Sequence, residues 1–275
     1  MKKEFKGIET RKNKNGFVVV SVHYTANPDK DEEFISNSRK GYPVNKWNRE
    51  MELDFSSGEG DPVYHTFDVD IHTAWLKFNP KYEVIRGWDF GRKRPACIWI
   101  QDDKDANQIY VLKEFLGSDM HFSEFINKVL LLSKECFTKA KFIDCCDPYG
   151  GVQRGDKSQF SNIEMMSAYN IYPTYQRTSI EKRVQKVEKL LDPNYNHNKP
   201  GIVFDKSCIL LIAGMRGGLV LDSKEKPKKD KKYEDVHEAM CYAIDNIKNL
   251  SFWDDRDDDN SNDDIDYSPL GRPIF

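Results

Sequence analysis

Apolar and polar positions change period along this chain, and the changes mark out its elements. Three apolar runs, 82–89, 96–101 and 109–115, follow one another, each bounded by Gly, Pro, Asp or Asn. Short runs punctuated in this way are what consecutive antiparallel strands require, so they predict a meander. Beyond it the period lengthens. Helices are expected over 122–136, 160–169, 179–191 and 233–249 and near 207–215, with strands at 141–146, near Tyr172 and at 218–222 and a further apolar piece at 202–204. Helices alternating with strands need crossover connections. The order therefore predicts an α/β fold: a mixed sheet, made of an antiparallel three-strand meander plus parallel strands, flanked by helices.

Ahead of the meander the pattern is thinner. A strand is expected over 17–24, a turn at 27–29, a charged helix over 31–39 and a second helix over 47–55, where Trp47, Met51 and Phe55 recur every four residues on one face. So few apolar positions cannot build a large core, and residues 1–80 read as an arm or partial domain before a main domain over 81–250. Residues 251–275 hold eight Asp and two Arg, the composition of a disordered tail, with Leu270, Ile274 and Phe275 as candidate docking side chains. The chain carries a net charge of −3, so removing the tail leaves a mildly basic body at +3. That balance permits a nucleic-acid partner without requiring one.

At 275 residues and 39% apolar the chain has enough material for a real core. No apolar run approaches the ~20 residues of a membrane span, and nothing addresses the chain to a membrane. The six cysteines include no C-x-x-C pair, which predicts a reducing cytoplasm and no structural zinc.

Several acids sit where chemistry could use them. Asp89 ends the first meander strand between Gly87 and Gly91, where a bare backbone could admit a large ligand, and Arg92, Lys93 and Arg94 follow as candidate phosphate contacts. Asp147 ends the strand 141–146, and Pro148 biases it to extended backbone so that its carboxylate projects from the strand end. Asp144 lies three residues earlier and faces the opposite side, which makes it a reserve. On the final helix Asp235 and Glu238 share a face, separate from the apolar stripe of Val236, Met240, Ala243 and Ile247. Each of these is also compatible with an ordinary turn or with the preference of acids for a helix start. Together they could converge at one sheet edge and bind hard divalent cations, Mg²⁺ or Mn²⁺, with two ions ~4 Å apart serving phosphodiester hydrolysis. Lys228, Lys229, Lys231 and Lys232 lead into that helix and could contact DNA, while His237 reads as a surface or packing residue rather than a ligand. The chain contains neither a G-x-x-x-x-G-K-[ST] phosphate loop nor a G-x-S-x-G elbow.

The sequence resembles the C-terminal nuclease domain of bacteriophage large terminase subunits. The resemblance runs from about Val18 to Asn249, through His23-Tyr24-Thr25-Ala26-Asn27-Pro28, Trp47-Asn48-Arg49-Glu50 with Phe55 and Gly58, Gly87-Trp88-Asp89-Phe90-Gly91, Asp147-Pro148, the basic helix before Leu190-Leu191, and the segment from Tyr233 to Tyr242. It implies an RNase H-like fold, with Asp89 and Asp147 as the first two metal ligands and the last helix supplying the third. Many relatives read S-H-x-x-D-A on that helix. This chain has Asp235 at the His position and Glu238 at the Asp position.

The resemblance further implies an endonuclease cutting concatemeric double-stranded phage DNA in the host cytoplasm, with portal protein and small terminase subunit as partners. Residues 1–80 would then be the end of the motor region and its linker, and the ATPase motor itself would be missing, as in an excised domain or a split gene. A junction or hybrid nuclease, or a non-catalytic DNA or portal docking module, remain alternative expectations.

Overall fold

The structure is a computed structural model, and it describes residues 6–12, 16–39, 47, 50–53, 61–148, 160–229 and 232–247. Its centre is a six-stranded mixed sheet. The expected meander forms as β4 (Val84–Asp89), β5 (Ala96–Asp103) and β6 (Gln108–Leu116), all antiparallel. β7 (Phe142–Cys146) lies parallel to β4, and β8 (Ile202–Asp205) lies parallel to β6. A two-residue strand, β3 (Thr73–Ala74), pairs parallel with β8, giving the order β3-β8-β6-β5-β4-β7.

Strand alternation sorts side chains onto two faces. Ile85, Ile98, Ile100, Val111 and Cys145 pack on one side against α5 (Ile180–Leu190), α6 (Ile209–Ala213) and α7 (Glu234–Asp245). Trp88, Cys97, Trp99, Leu112 and Cys146 pack on the other against α3 (Phe122–Cys136) and α4 (Asn162–Ser167). Both faces are covered, which explains why the strands read as nearly continuous apolar runs. Among the described helices none is long and apolar enough to cross a membrane.

Three local differences from the sequence reading have physical causes. The strand expected at 218–222 does not form: Val220 and Leu221 make single bridges to Pro62 and Pro227, and a residue without an N–H cannot extend a ladder. The helix expected over 207–215 stops at Ala213, and Gly214–Gly218 follow in a wider π turn in which Gly217 adopts φ 101°. The strand expected near Tyr172 is reduced to one parallel bridge between Thr174 and Cys145, on the outer edge of β7.

Ahead of the sheet, β1 (Ile8–Lys12) pairs antiparallel with β2 (Val18–Val22), and α1 (Glu32–Arg39) follows. Trp47, read as helix face, is buried and donates from Nε1 to Glu52, whereas Phe55 lies outside the described residues. Val63, Tyr64 and Phe67 are buried in the main core, and α2 (Val69–His72) leads straight into β3. The sequence pattern assigns these residues to the arm. Their apolar side chains are too few and too scattered to register as a core segment, but they fill the gap between β8 and α7.

Candidate functional site

Asp89 occupies the last position of β4, on the face that α7 covers. α7 lies unusually close to this strand. A Cβ at Gly87 would collide with the carbonyl of Ala239 and stand 2.9 Å from the Cβ of Ala243. Gly87 therefore serves helix packing, which corrects the expectation that bare backbone beside Asp89 leaves space for a ligand. Gly91 is equally committed, because a Cβ there would press on the Arg94 carbonyl that closes the turn.

The close approach of α7 brings acids together. Burial, followed by the charges of Glu238, Asp235 and Asp147, pushes the Asp89 carboxyl well above the ordinary carboxylate range, while Lys229 opposes the shift. Four carboxyls from three separate segments thus share one electrostatic environment at the C-terminal end of β4. Each has its own setting. Asp235 pairs with Arg94 at 3.0 Å, and Glu238 accepts a hydrogen bond from the Tyr242 hydroxyl at 3.0 Å. Burial and the charges of Glu238, Asp89 and Asp147 in turn push the Tyr242 phenol up.

Arg183 of α5 lies 4.8 Å from the Tyr242 ring centroid, with Nε and Nη1 buried and without a hydrogen-bond partner among the described residues. This places a cation behind the carboxyls, next to the hydroxyl that holds Glu238. Nothing in the sequence marked Arg183 beyond its place on a basic helix. Of the two settings expected for His237, surface or packing, the structure shows packing: it is buried, with its Nε2 2.6 Å from the Tyr64 hydroxyl. Burial, then Arg183, pushes its imidazole down to about 4, so it stays neutral and fixes α7 against the segment before α2.

Asp144 stands apart from this group. Arg86 donates to it from Nε and Nη2, both at 2.7 Å, and Trp88 Nε1 donates to Oδ1 at 2.7 Å. It faces α3, so the reserve acid is a structural ion-pair partner on the opposite side of the sheet.

The basic candidates divide similarly. Arg94 is engaged with Asp235 and also donates to the Lys232 carbonyl at 3.2 Å, which ties the turn after β4 to the entry of α7. Arg92 and Lys93 are exposed, and Lys93 is 3.9 Å from Asp119. Lys228 and Lys229 lie in the described loop before α7, with Lys229 within electrostatic reach of Asp89, and Lys231 lies outside the described residues.

Carboxylates alone make up the donor set, which suits a hard divalent cation bound through oxygen. Among the described residues no three His, Cys, Asp or Glu side chains stand close enough to hold an ion as placed.

No protein-family model matches the chain. The large terminase subunit of Escherichia phage T5 is 23% identical over 238 residues, covering 82% of this chain and 50% of the relative. The large terminase of a thermophilic bacteriophage superposes with a TM-score of 0.54 at 16% identity, over 82% of this chain and 55% of that one. The nuclease domain of the P22 large terminase superposes with a TM-score of 0.51 at 17% identity, over 67% of this chain and 91% of that domain. The fold is that of a phage large-terminase nuclease domain. It is RNase H-like, as the resemblance implied. The chain spans about half the length of the curated terminase it matches, while the P22 terminase nuclease domain is matched nearly throughout.

Proposed function

We propose that this chain carries the metal-dependent nuclease activity of a phage large terminase and cuts double-stranded DNA during genome packaging. The observation that carries the reading is the convergence of Glu238, Asp235 and Asp147 on the buried carboxyl of Asp89. With Asp235 paired to Arg94, three acids remain in one partly buried environment, which is destabilising unless a further cation relieves their repulsion.

Asp89, Asp147 and Glu238 are the ligands in this reading. Glu238 exerts the largest charge effect on Asp89 and has a neutral hydroxyl as neighbour, whereas Asp235 is already neutralised by Arg94. Mg²⁺ or Mn²⁺, as a pair of ions, would supply the positive charge that polarises the scissile phosphate and makes water a better nucleophile. The protein contributes position: β4 fixes Asp89, Gly87 admits α7, and Tyr242 orients Glu238. Lys229, whose charge acts on Asp89, and the exposed Arg92, Lys93 and Lys228 would track the phosphate backbone in this reading, which makes binding salt-dependent. Cutting of concatemers in the host cytoplasm, with a motor domain, portal and small terminase subunit as partners, belongs to the same proposal.

A second reading is favoured by one observation: the acids are not gathered at metal-holding distance among the described residues. In that case the domain grips DNA or docks on a portal without cleaving. Incubation of supercoiled plasmid with the protein in EDTA, Mg²⁺ or Mn²⁺, beside Asp89→Ala, separates the two. Metal-dependent cleavage that Asp89→Ala loses supports the nuclease. Plasmid left intact with both metals supports the gripping module.

A further inference from the structure

At the opposite end of β4 from Asp89 an open groove of about 970 Å³ runs beside the outer edge of β7. Ile85, the lining residue of β4 nearest to Asp89, is four residues from it, so at ~3.3 Å per residue the groove begins roughly 13 Å from that acid. Its floor is apolar and aromatic, formed by Ile143, Tyr82, Tyr175 and Ile247. Lys81, Lys104, Lys139 and Lys141 line it against two acids, Glu83 and Asp102. Lys81 pairs with Asp105 at 2.6 Å, whereas Lys139 and Lys141 have no salt bridge among the described residues. Ile143, the second residue of β7, is 38% exposed, an apolar side chain left uncovered.

Asn246 and Ile247, where α7 ends, are themselves part of the groove wall, and the chain continues from there into residues 248–275. That segment has the chemistry the groove lacks. Phe252 and Trp253 come first, five and six residues after Ile247, and five aspartates follow, Asp254, Asp255, Asp257, Asp258 and Asp259, interrupted only by Arg256. An extended chain covers at most ~3.5 Å per residue, so the aromatic pair reaches about 20 Å from Ile247, and the acids begin just beyond. Apolar side chains would meet the floor and carboxylates the lysine rim. We propose that residues 251–259 of this chain occupy the groove, with Phe252 and Trp253 over Ile143 and the aspartates on Lys139 and Lys141.

The proposal does not depend on the nuclease reading. It gives the acidic segment a location away from Asp89 and covers the exposed part of the β7 edge that the Thr174 bridge leaves open.

Zero-length carbodiimide cross-linking of the full chain, read by mass spectrometry of the monomer, tests it. The expected result is amide links from Lys139 or Lys141 to the aspartates at 254–259. They should be lost in Phe252→Ser/Trp253→Ser and at ~1 M salt, where the screening length falls to about 3 Å. Links spread evenly over lysines outside the groove, or found only between molecules, would overturn the proposal. A short DNA duplex serves as the competing occupant. If it shields Lys139 and Lys141 from acetylation equally in the full chain and in Phe252→Ser/Trp253→Ser, the groove is a nucleic-acid surface and the proposal falls.

Discussion

Replacing Asp144 by alanine should destabilise the fold far more than replacing any acid at the β4 terminus. In the structure Asp144 and Arg86 are side by side on paired strands, with side chains only 9% and 5% exposed. The guanidinium makes two 2.7 Å bonds to the carboxylate, reaches Ser133 Oγ at 3.3 Å, and lies 4.5 Å from the Phe142 ring centroid. Removing one partner strands the other charge in a nonpolar layer, a change that costs about 3–5 kcal/mol. Trp88 Nε1 also loses its acceptor, which places the cost toward the upper part of that range. For a domain of this size each kcal/mol shifts the midpoint by roughly 2–4 °C, so Asp144→Ala should melt roughly 10 °C or more below the parent. Urea unfolding followed by tryptophan fluorescence gives the free energy directly. Arg86→Met/Asp144→Leu, which removes both charges, should recover most of the loss. A loss below ~1 kcal/mol in Asp144→Ala, or a double variant worse than the single one, would refute the assignment of Asp144 to a buried structural pair.

The other predictions bear on the acid cluster. Gly87→Ala should lower stability by about 1–3 kcal/mol and weaken cutting together, because the new Cβ pushes α7 off β4; a variant with parent-like melting and activity would contradict the close approach. His237 has a folded value of about 4 against an ordinary 6.5, so the unfolded chain binds the extra proton first. Its contribution, about 3 kcal/mol, is present above pH ~6.5 and is lost progressively as the pH falls toward 4. His237→Gln should flatten that part of the stability profile, as measured by urea unfolding across the window. If Glu238 is the principal ligand of the last helix, Glu238→Gln should abolish metal-dependent cutting while Asp235→Asn retains a measurable fraction, and the reverse order in a plasmid assay would exchange their roles.

Much of the fold was legible because burial on both faces leaves a strong pattern. The expected strands 82–89, 96–101 and 109–115 differ from β4, β5 and β6 by one or two residues at their ends, where turn residues left little choice. β1 gives no such pattern, because Ile8–Lys12 carries charged and polar side chains on an exposed ribbon and so lacks the apolar signal. β3 is too short to have a period at all. Proline at positions 62 and 227 determined the fate of the expected strand 218–222: Pro227 is close in sequence, but Pro62 is brought to it only by the tertiary fold.

For the candidate site, the alternation rule separated Asp144 from Asp147, but no local pattern could say what each would meet. Gly87 looked like room for a ligand and is room for a helix. Arg94 looked like a phosphate contact and is held by Asp235, while Arg183 gave no signal. In each case the partner arrives from more than 50 residues away.

That separation in sequence has a consequence for how the chain comes into being. Asp89 ends β4 and Asp147 directly follows β7, strands that can pair early, but the helix that completes the group is the last element among the described residues, and it packs across β4. Contacts of such long range form late. A chain still emerging from the ribosome therefore has its two strand acids without their helical counterparts, and the acid group is assembled only when α7 docks on the sheet.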